Sequence, residues 1–125
     1  MEAHVERIVK KYPRLLQEEV VFERHLEKQE NPDMHDALTL VRIRLGIIES
    51  WFSLLDTDER FALRQMLTPN SGAAMQAAAM IWSWQLCQEG QTPAQVRARA
   101  IGKIAAFARM HRKLMRMVFG DLWRG

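Results

Sequence analysis

The chain has 125 residues, of which 48% are hydrophobic and 26% are charged, and this balance excludes a disordered tail. Its length is that of a single domain, and a chain of this size should bury roughly two-thirds of the surface that its unfolded form exposes. The net charge is +3, and the single cysteine, Cys87, excludes an internal disulfide framework and predicts a reducing, cytoplasmic location.

Composition also limits the fold class. Glycine and proline are few, residues that favour helices dominate, and no Asn-Gly or Asp-Gly hairpin signal occurs, so we predict an all-α protein. The uncharged stretch from Met66 to Gln88 is diluted by polar residues and predicts no membrane span. The first residues include two acidic side chains and lack the apolar segment of a signal peptide, so we expect no secretory signal.

The first predicted elements form a helical hairpin. Pro13 ends or kinks a short first segment because it lacks an amide hydrogen, and a helix is expected from Arg14 to about Gln29. A turn at Asn31 separates it from the clearest periodicity in the chain, in which apolar residues recur at spacings of three and four. These residues are Leu38, Val41, Leu45, Ile48, Phe52 and Leu55.

This apolar seam predicts a helix from about Met34 to Leu55, and its exposed stripe must be covered. Packing on the preceding helix would give an antiparallel hairpin over residues 1–55, which we favour. A homodimer through the Leu38–Leu55 seam is the alternative.

The C-terminal region, residues 56–125, begins with capping signals. Asp56 and Glu59 fit a capping box that opens a helix over about Thr57–Leu67. A further helix is expected over about Ala73–Glu89, with its end at Gly90.

The last predicted helix is the basic element of the chain. Thr92, Pro93 and Gln95 predict its start, and we expect it to run to about Phe119 with Gly102 as a weak point. We expect the two regions to form one compact unit, a helical bundle.

The charge is unevenly distributed along the chain. Residues 1–90 carry ten Lys/Arg and fourteen Asp/Glu, a net −4, whereas residues 91–125 carry eight and one, a net +7. On a helical wheel most cations of the last helix lie opposite its apolar residues, and Arg97 lies at the apolar edge. The candidate DNA-binding residues are Arg97, Arg99, Lys103, Arg109, Arg112, Lys113 and Arg116.

Such a cationic face has several interpretations. It suits duplex DNA, because Lys and Arg displace counterions from phosphates and Arg contacts phosphate or guanine in a bidentate manner. A non-enzymatic protein module or inhibitor that binds an acidic surface of a host protein through the same helix is the alternative. A solvated helix face that also attracts the acidic half of its own chain or of a partner subunit is a less favoured interpretation. Binding to an acidic membrane surface is weaker still, and we expect no membrane partner.

Three segments together resemble phage-type transcription regulators of the RinA/ArpU kind. They are residues 12–19 (YPRLLQEE), 47–60 (IIESWFSLLDTDER) and 90–96 (GQTPAQV). The resemblance implies a small transcription regulator of phage or mobile-element origin with a sigma-factor-like C-terminal helix-turn-helix. Its partners would be double-stranded DNA and RNA polymerase or another host protein. In the family pattern a turn would fall at Gly102, but no Ser or Thr is present to cap a helix after it, so the segment is either helix-turn-helix-like or one long basic helix.

The sequence predicts no enzyme, no catalytic residue, no metal site and no cofactor, because no nucleophile–base pair, phosphate loop or metal-ligand spacing occurs. Cys87 is expected to be a small buried hydrophobe. Trp82 and Trp84 face different sides of their helix, and we expect both to be buried, with an exposed partner-binding tryptophan as the alternative. Met110, Met115 and Met117 are candidates for a partner surface.

Overall fold

The computed structural model describes residues 1–68 and 72–123, and the elements in these ranges are helical throughout. The α-helices are α1 (Glu2–Lys10), α2 (Tyr12–Lys28), α3 (Pro32–Phe52), α4 (Thr57–Leu67), α5 (Ala73–Gln88), α6 (Pro93–Met110) and α7 (Arg112–Phe119), and a 3-10 turn, Gly120–Leu122, comes after α7. The described ranges contain no strand, which confirms the all-α prediction.

Helices α2 and α3 form the predicted antiparallel hairpin. The hydroxyl of Tyr12, at the start of α2, donates to Glu49 near the end of α3 (3.1 Å), and Arg42 in the middle of α3 pairs with Glu19 (3.3 Å) and Glu23 farther along α2. Helix α2 begins at Tyr12, two residues earlier than predicted. Its proline lies in the first turn, where a missing N–H costs no helical hydrogen bond.

The apolar seam of α3 is covered within the chain. Its members Leu38, Val41, Leu45 and Ile48 are buried, and the last of them is fully inaccessible. Trp51, next to the seam, is also fully buried. The hairpin therefore uses the surface that a homodimer through the Leu38–Leu55 seam would need.

One core joins the two ends of the chain. It brings together α1, α3, α6 and α7, with Val5, Ile8, Ile104 and Phe119 completely or almost completely buried. The Phe119 ring lies 5.9 Å from that of Trp51, centroid to centroid. At the end of α7, the side chain of Arg44 donates to a backbone carbonyl, that of Val118 (2.9 Å).

The predicted basic helix is broken in two, at His111 rather than at Gly102. His111 has φ −120° and ψ 35°, and its N–H donates to the Ala108 carbonyl instead of to a residue four positions back. The break falls where the apolar stripe lacks a member, since positions 111 and 112 are polar. Beyond it, α7 is oriented by burial of Met115 and Phe119 in the common core.

Candidate nucleic-acid interface

The joint between α5 and α6 is a tight turn around Gly90. This glycine has φ +76°, a left-handed conformation that side chains disfavour. Its N–H donates to the Cys87 carbonyl (3.1 Å), and the N–H of Gln91 donates to the Leu86 carbonyl (2.9 Å), so the end of α5 is a Schellman motif. The helix end predicted at Gly90 is thus present, whereas no turn occurs at Gly102, because α6 is continuous through that residue.

Helix α6 begins with the capping box that the sequence predicts. The Gln95 N–H donates to the Thr92 hydroxyl (3.2 Å), and the Thr92 N–H donates back to the Gln95 side chain (3.0 Å). Pro93 occupies the first turn. Because both partners are exposed, the start of α6 is fixed by local hydrogen bonds and lies at the protein surface.

A small apolar cluster holds α4, α5 and α6 together beneath this turn. Ala62, Leu86 and Val96, one from each helix, are buried, and Trp82 packs against them. The Trp82 indole N–H also donates to the Asp58 carboxylate at the start of α4 (3.0 Å). The cluster therefore positions the exposed first turns of α6 relative to α4.

Glu59 is a completely buried carboxylate between α4 and α6. Its Oε1 accepts from the Asp56 N–H (2.9 Å) and from Lys103 Nζ (2.7 Å), and its Oε2 accepts from Arg99 Nε (3.1 Å). Burial alone would raise the pKa of Glu59, but these hydrogen bonds outweigh it and hold the pKa below its ordinary value. Glu59 is therefore ionised and binds two cations of α6.

This contact assigns a structural role to two of the predicted DNA-binding residues. Besides Glu59, Arg99 approaches Asp56 (3.6 Å) and donates to the Gln91 side chain (3.2 Å). The side chains of Arg99 and Lys103 are 42% and 45% exposed, so water still reaches both. They lie at the surface, yet much of their hydrogen-bonding capacity is directed at α4 and the turn.

The other five predicted residues are exposed, and their side chains make no hydrogen bond or ion pair within the described part of the chain. Arg97 borders a shallow pocket with Gln65 and Trp82, on the α4–α5 side. Arg112 and Arg116 border a different one, on α7. The structure therefore divides the single predicted cationic face into a group on α6 and a group at and beyond its C-terminal end.

The pocket beside α7 contains His4 and Trp123, whose rings meet edge to face with centroids 5.5 Å apart. His4 Nδ1 is buried and has no hydrogen-bond partner among the described residues. Burial, and then the positive charges of the N-terminus and Arg7, lower the pKa of His4 from its ordinary value. The neutral form is thus favoured beside the cationic side chains of α7.

Several side chains lie where the sequence did not place them. Cys87 is exposed, so its prediction as a buried hydrophobe is wrong. Trp84 is 62% exposed, which contradicts the preferred expectation that both tryptophans are buried. Of the three methionines proposed for a partner surface, Met110 and Met117 are exposed and Met115 is buried.

The role of Glu59 was missed because capping already accounted for it. A signal was present, since Glu59 lies three and four residues before Ala62 and Leu63 and so shares their buried face. An acid on that face requires a basic partner from another helix. For Arg99 and Lys103, the structure agrees with the less favoured interpretation, a basic helix face that attracts the acidic part of its own chain.

The described residues contain no group of three or more His, Cys, Asp or Glu side chains arranged to hold a metal ion. Within the same ranges, no helix combines the length and the apolar character that crossing a membrane requires. Comparisons with family models, curated proteins and solved structures find no match to this chain.

Proposed function

We propose that the protein is a small DNA-binding transcription regulator that docks its C-terminal basic helices on duplex DNA. The observation that carries the proposal is the arrangement of α5, the Gly90 turn and α6 on a supporting α4. A helix, a turn of about four residues and a second helix that presents its N-terminal side chains is the layout of a helix-turn-helix.

In this proposal, α6 enters the major groove and its exposed first turns approach the base edges. Arg97 is the side chain of suitable chemistry there, because Arg pairs with guanine, whereas the Gln95 side chain is engaged in the capping box. The buried contact between Glu59 and two α6 cations fixes the angle of α6 on α4. Arg99 and Lys103 are thus positioning residues whose exposed portions lie near the DNA backbone.

The cations at and beyond the end of α6 supply the phosphate contacts. Arg109, Arg112, Lys113 and Arg116 are exposed and have no internal acidic partner in the described ranges. Phosphate contacts of this type set affinity and orientation without reading sequence. Specificity would come from the first turns of α6.

The test is binding of a fluorescent duplex by R112A/R116A, measured by anisotropy at two salt concentrations. Loss of two phosphate contacts should weaken binding at low salt by about tenfold or more and reduce the steepness of the log–log salt dependence by about two. The matched control is R24A/K28A, which removes the same charge from exposed positions of α2. Equal binding by both double variants would contradict the proposed surface.

A second candidate function is recognition of an acidic protein surface through the same helix. One observation favours it, since Arg99 and Lys103 already bind the carboxylates of Asp56 and Glu59 in their own chain. Two results together would select this candidate over the first. The chain would bind an acidic protein, and it would show no measurable affinity for duplex DNA at low salt.

A further inference from the structure

Helix α5 presents a second apolar seam, and this one faces solvent. Its members alternate in spacing between four and three, as in a heptad repeat, and all are exposed. They are Ala73, Ala77, Met80, Trp84 and Cys87. The opposite face of α5, with Trp82 and Leu86, makes the contacts to α4 and α6. One face of α5 is therefore covered and the other is not.

The exposed side chains on this seam are large. Met80 is 75% exposed, Trp84 62%, and the adjacent Ile81 59%. With the exposed alanines they present roughly 600 Å² of apolar surface on each copy, at the upper end of the patches that monomeric proteins leave uncovered. Two such surfaces would bury about 1,200 Å², the lower limit for a specific protein interface.

Charge indicates what kind of surface would cover the seam. Helix α5 contains no Asp, Glu, Lys or Arg. The seam therefore has nothing to pair with an acidic or basic partner, and a charged partner would lose hydration without compensation. The complementary surface is itself apolar and uncharged, as the α5 face of a second copy is.

The order of side chains along α5 makes this face self-complementary. On the seam, the first half of α5 carries the small side chains of Ala73 and Ala77, and the second half carries the large ones of Met80 and Trp84. In an antiparallel pair with Met80 near the two-fold axis, Ala77 of each copy lies opposite Trp84 of the other, and the two Met80 side chains meet at the centre. Such matching of small to large residues about a two-fold axis is typical of an isologous interface.

We propose that two copies of the chain associate through α5, with their α5 helices antiparallel and Met80 near the two-fold axis. The seam of α3 has no part in this association, because α2 covers it. The inference does not rest on DNA binding, and its test contains no DNA.

The first test is sedimentation of the full chain over a range of concentrations, alone and as M80E. The wild type should form a dimer with a dissociation constant on the order of micromolar, and M80E should remain monomeric because it places a charge in the seam. The matched control is M117E, which adds the same charge at a methionine of α7 that is 73% exposed. Circular dichroism checks that both variants keep their helix content.

A monomeric wild type at about 200 µM overturns the proposal. So does a dimer that M80E leaves intact, or one that M117E disrupts equally. Dimer loss in M80E alone supports it. A monomer that binds uncharged lipid vesicles through the seam would assign the surface to a membrane and would also overturn the proposal.

The second test addresses the direction of pairing with a short thiol cross-linker. At 1.5 Å per residue, Cys87 lies about 10 Å along the helix from Met80, so the two Cys87 thiols of an antiparallel dimer are about 20 Å apart. Wild type should therefore not cross-link, whereas M80C in a C87S background should. Cross-linking of the wild type through Cys87 would indicate parallel helices and would contradict the arrangement.

Discussion

Helices α3 and α5 carry apolar seams of the same spacing, but only one of them is covered. The α3 seam is buried by α2 and the common core, whereas Met80 and Trp84 of α5 are mostly exposed. Spacing defines which residues share a face, but it does not identify what lies against that face. The difference shows that a heptad pattern predicts an apolar face that another surface covers. For α3, that surface belongs to the same chain.

The largest expected effect is the difference in stability loss between a substitution in the α3 seam and one in the α5 seam. We expect L45A to lower the free energy of unfolding by about 2–5 kcal/mol, because it removes buried methyl groups and leaves a cavity. We expect M80A to change it by less than about 0.5 kcal/mol in dilute protein, because Met80 is exposed in the single chain. Urea unfolding of both at low micromolar concentration measures the contrast, and similar losses would contradict it.

The contact between α4 and α6 gives the next largest effect. We expect E59Q to lower the free energy of unfolding by about 2 kcal/mol, because two charge-assisted hydrogen bonds lose their anion. E18Q is the control, since it removes a carboxylate from an exposed pair within α2 and should cost less than about 1 kcal/mol. Equal losses of unfolding free energy in the two variants would show that the buried Glu59 contact stabilises the protein no more than an exposed ion pair does.

The pH dependence of stability provides a second test of the Glu59 contact. The folded-state pKa of Glu59 lies below its ordinary value, so this residue contributes stability that is fully present above its unfolded pKa. That contribution is lost as pH falls through the lower, folded pKa. The wild type should thus lose more stability than E59Q when the pH is lowered from about 6 to about 3, as measured by urea unfolding at each pH.

Alanine substitutions at two glycines should have smaller effects on stability, and the two effects should be opposite in sign. G90A should destabilise by about 1–2 kcal/mol, because the residue that ends α5 has positive φ. G46A, inside α3, should stabilise by about 0.5–1 kcal/mol, since a Cβ there meets no atom within 4 Å. Thermal unfolding of the two variants measures the difference, and a loss in both would mean that α3 is not a regular helix at Gly46.

The smallest effect concerns His4, at the junction of α1 and the end of the chain. Because its pKa is lowered in the folded state, the unfolded chain binds the proton more readily below pH 6.5. The free energy of unfolding should fall as pH drops from about 7 toward about 5, and H4Q should flatten this part of the profile. An unchanged profile would assign the pH dependence to other groups.

Local signals in the sequence predict element boundaries well in this chain. The start of α4 at Thr57 and the start of α6 at Pro93 agree with capping boxes whose partners lie three residues apart. The pairing of α2 with α3 is indicated by a short turn and a strong apolar seam. These features depend on neighbouring residues alone, so no knowledge of the tertiary structure is needed.

The candidate site was harder to predict because it depends on contacts between distant residues. The wheel of a single straight helix groups Arg99 with Arg116, but the break at His111 separates them. Burial of Glu59 removes part of the cationic surface, and no local pattern shows which helix it faces. Exposure of Trp84 and Cys87 likewise depends on how little of the chain packs on α5.

The proposal of DNA binding is tested most directly by a salt titration of the wild-type chain on a random-sequence duplex. Five exposed cations without internal partners in the described ranges predict micromolar or tighter binding at low salt, with a log–log slope approaching about −4 between roughly 50 and 200 mM salt. Binding that does not change over this range, or no binding at about 50 mM, would contradict the account.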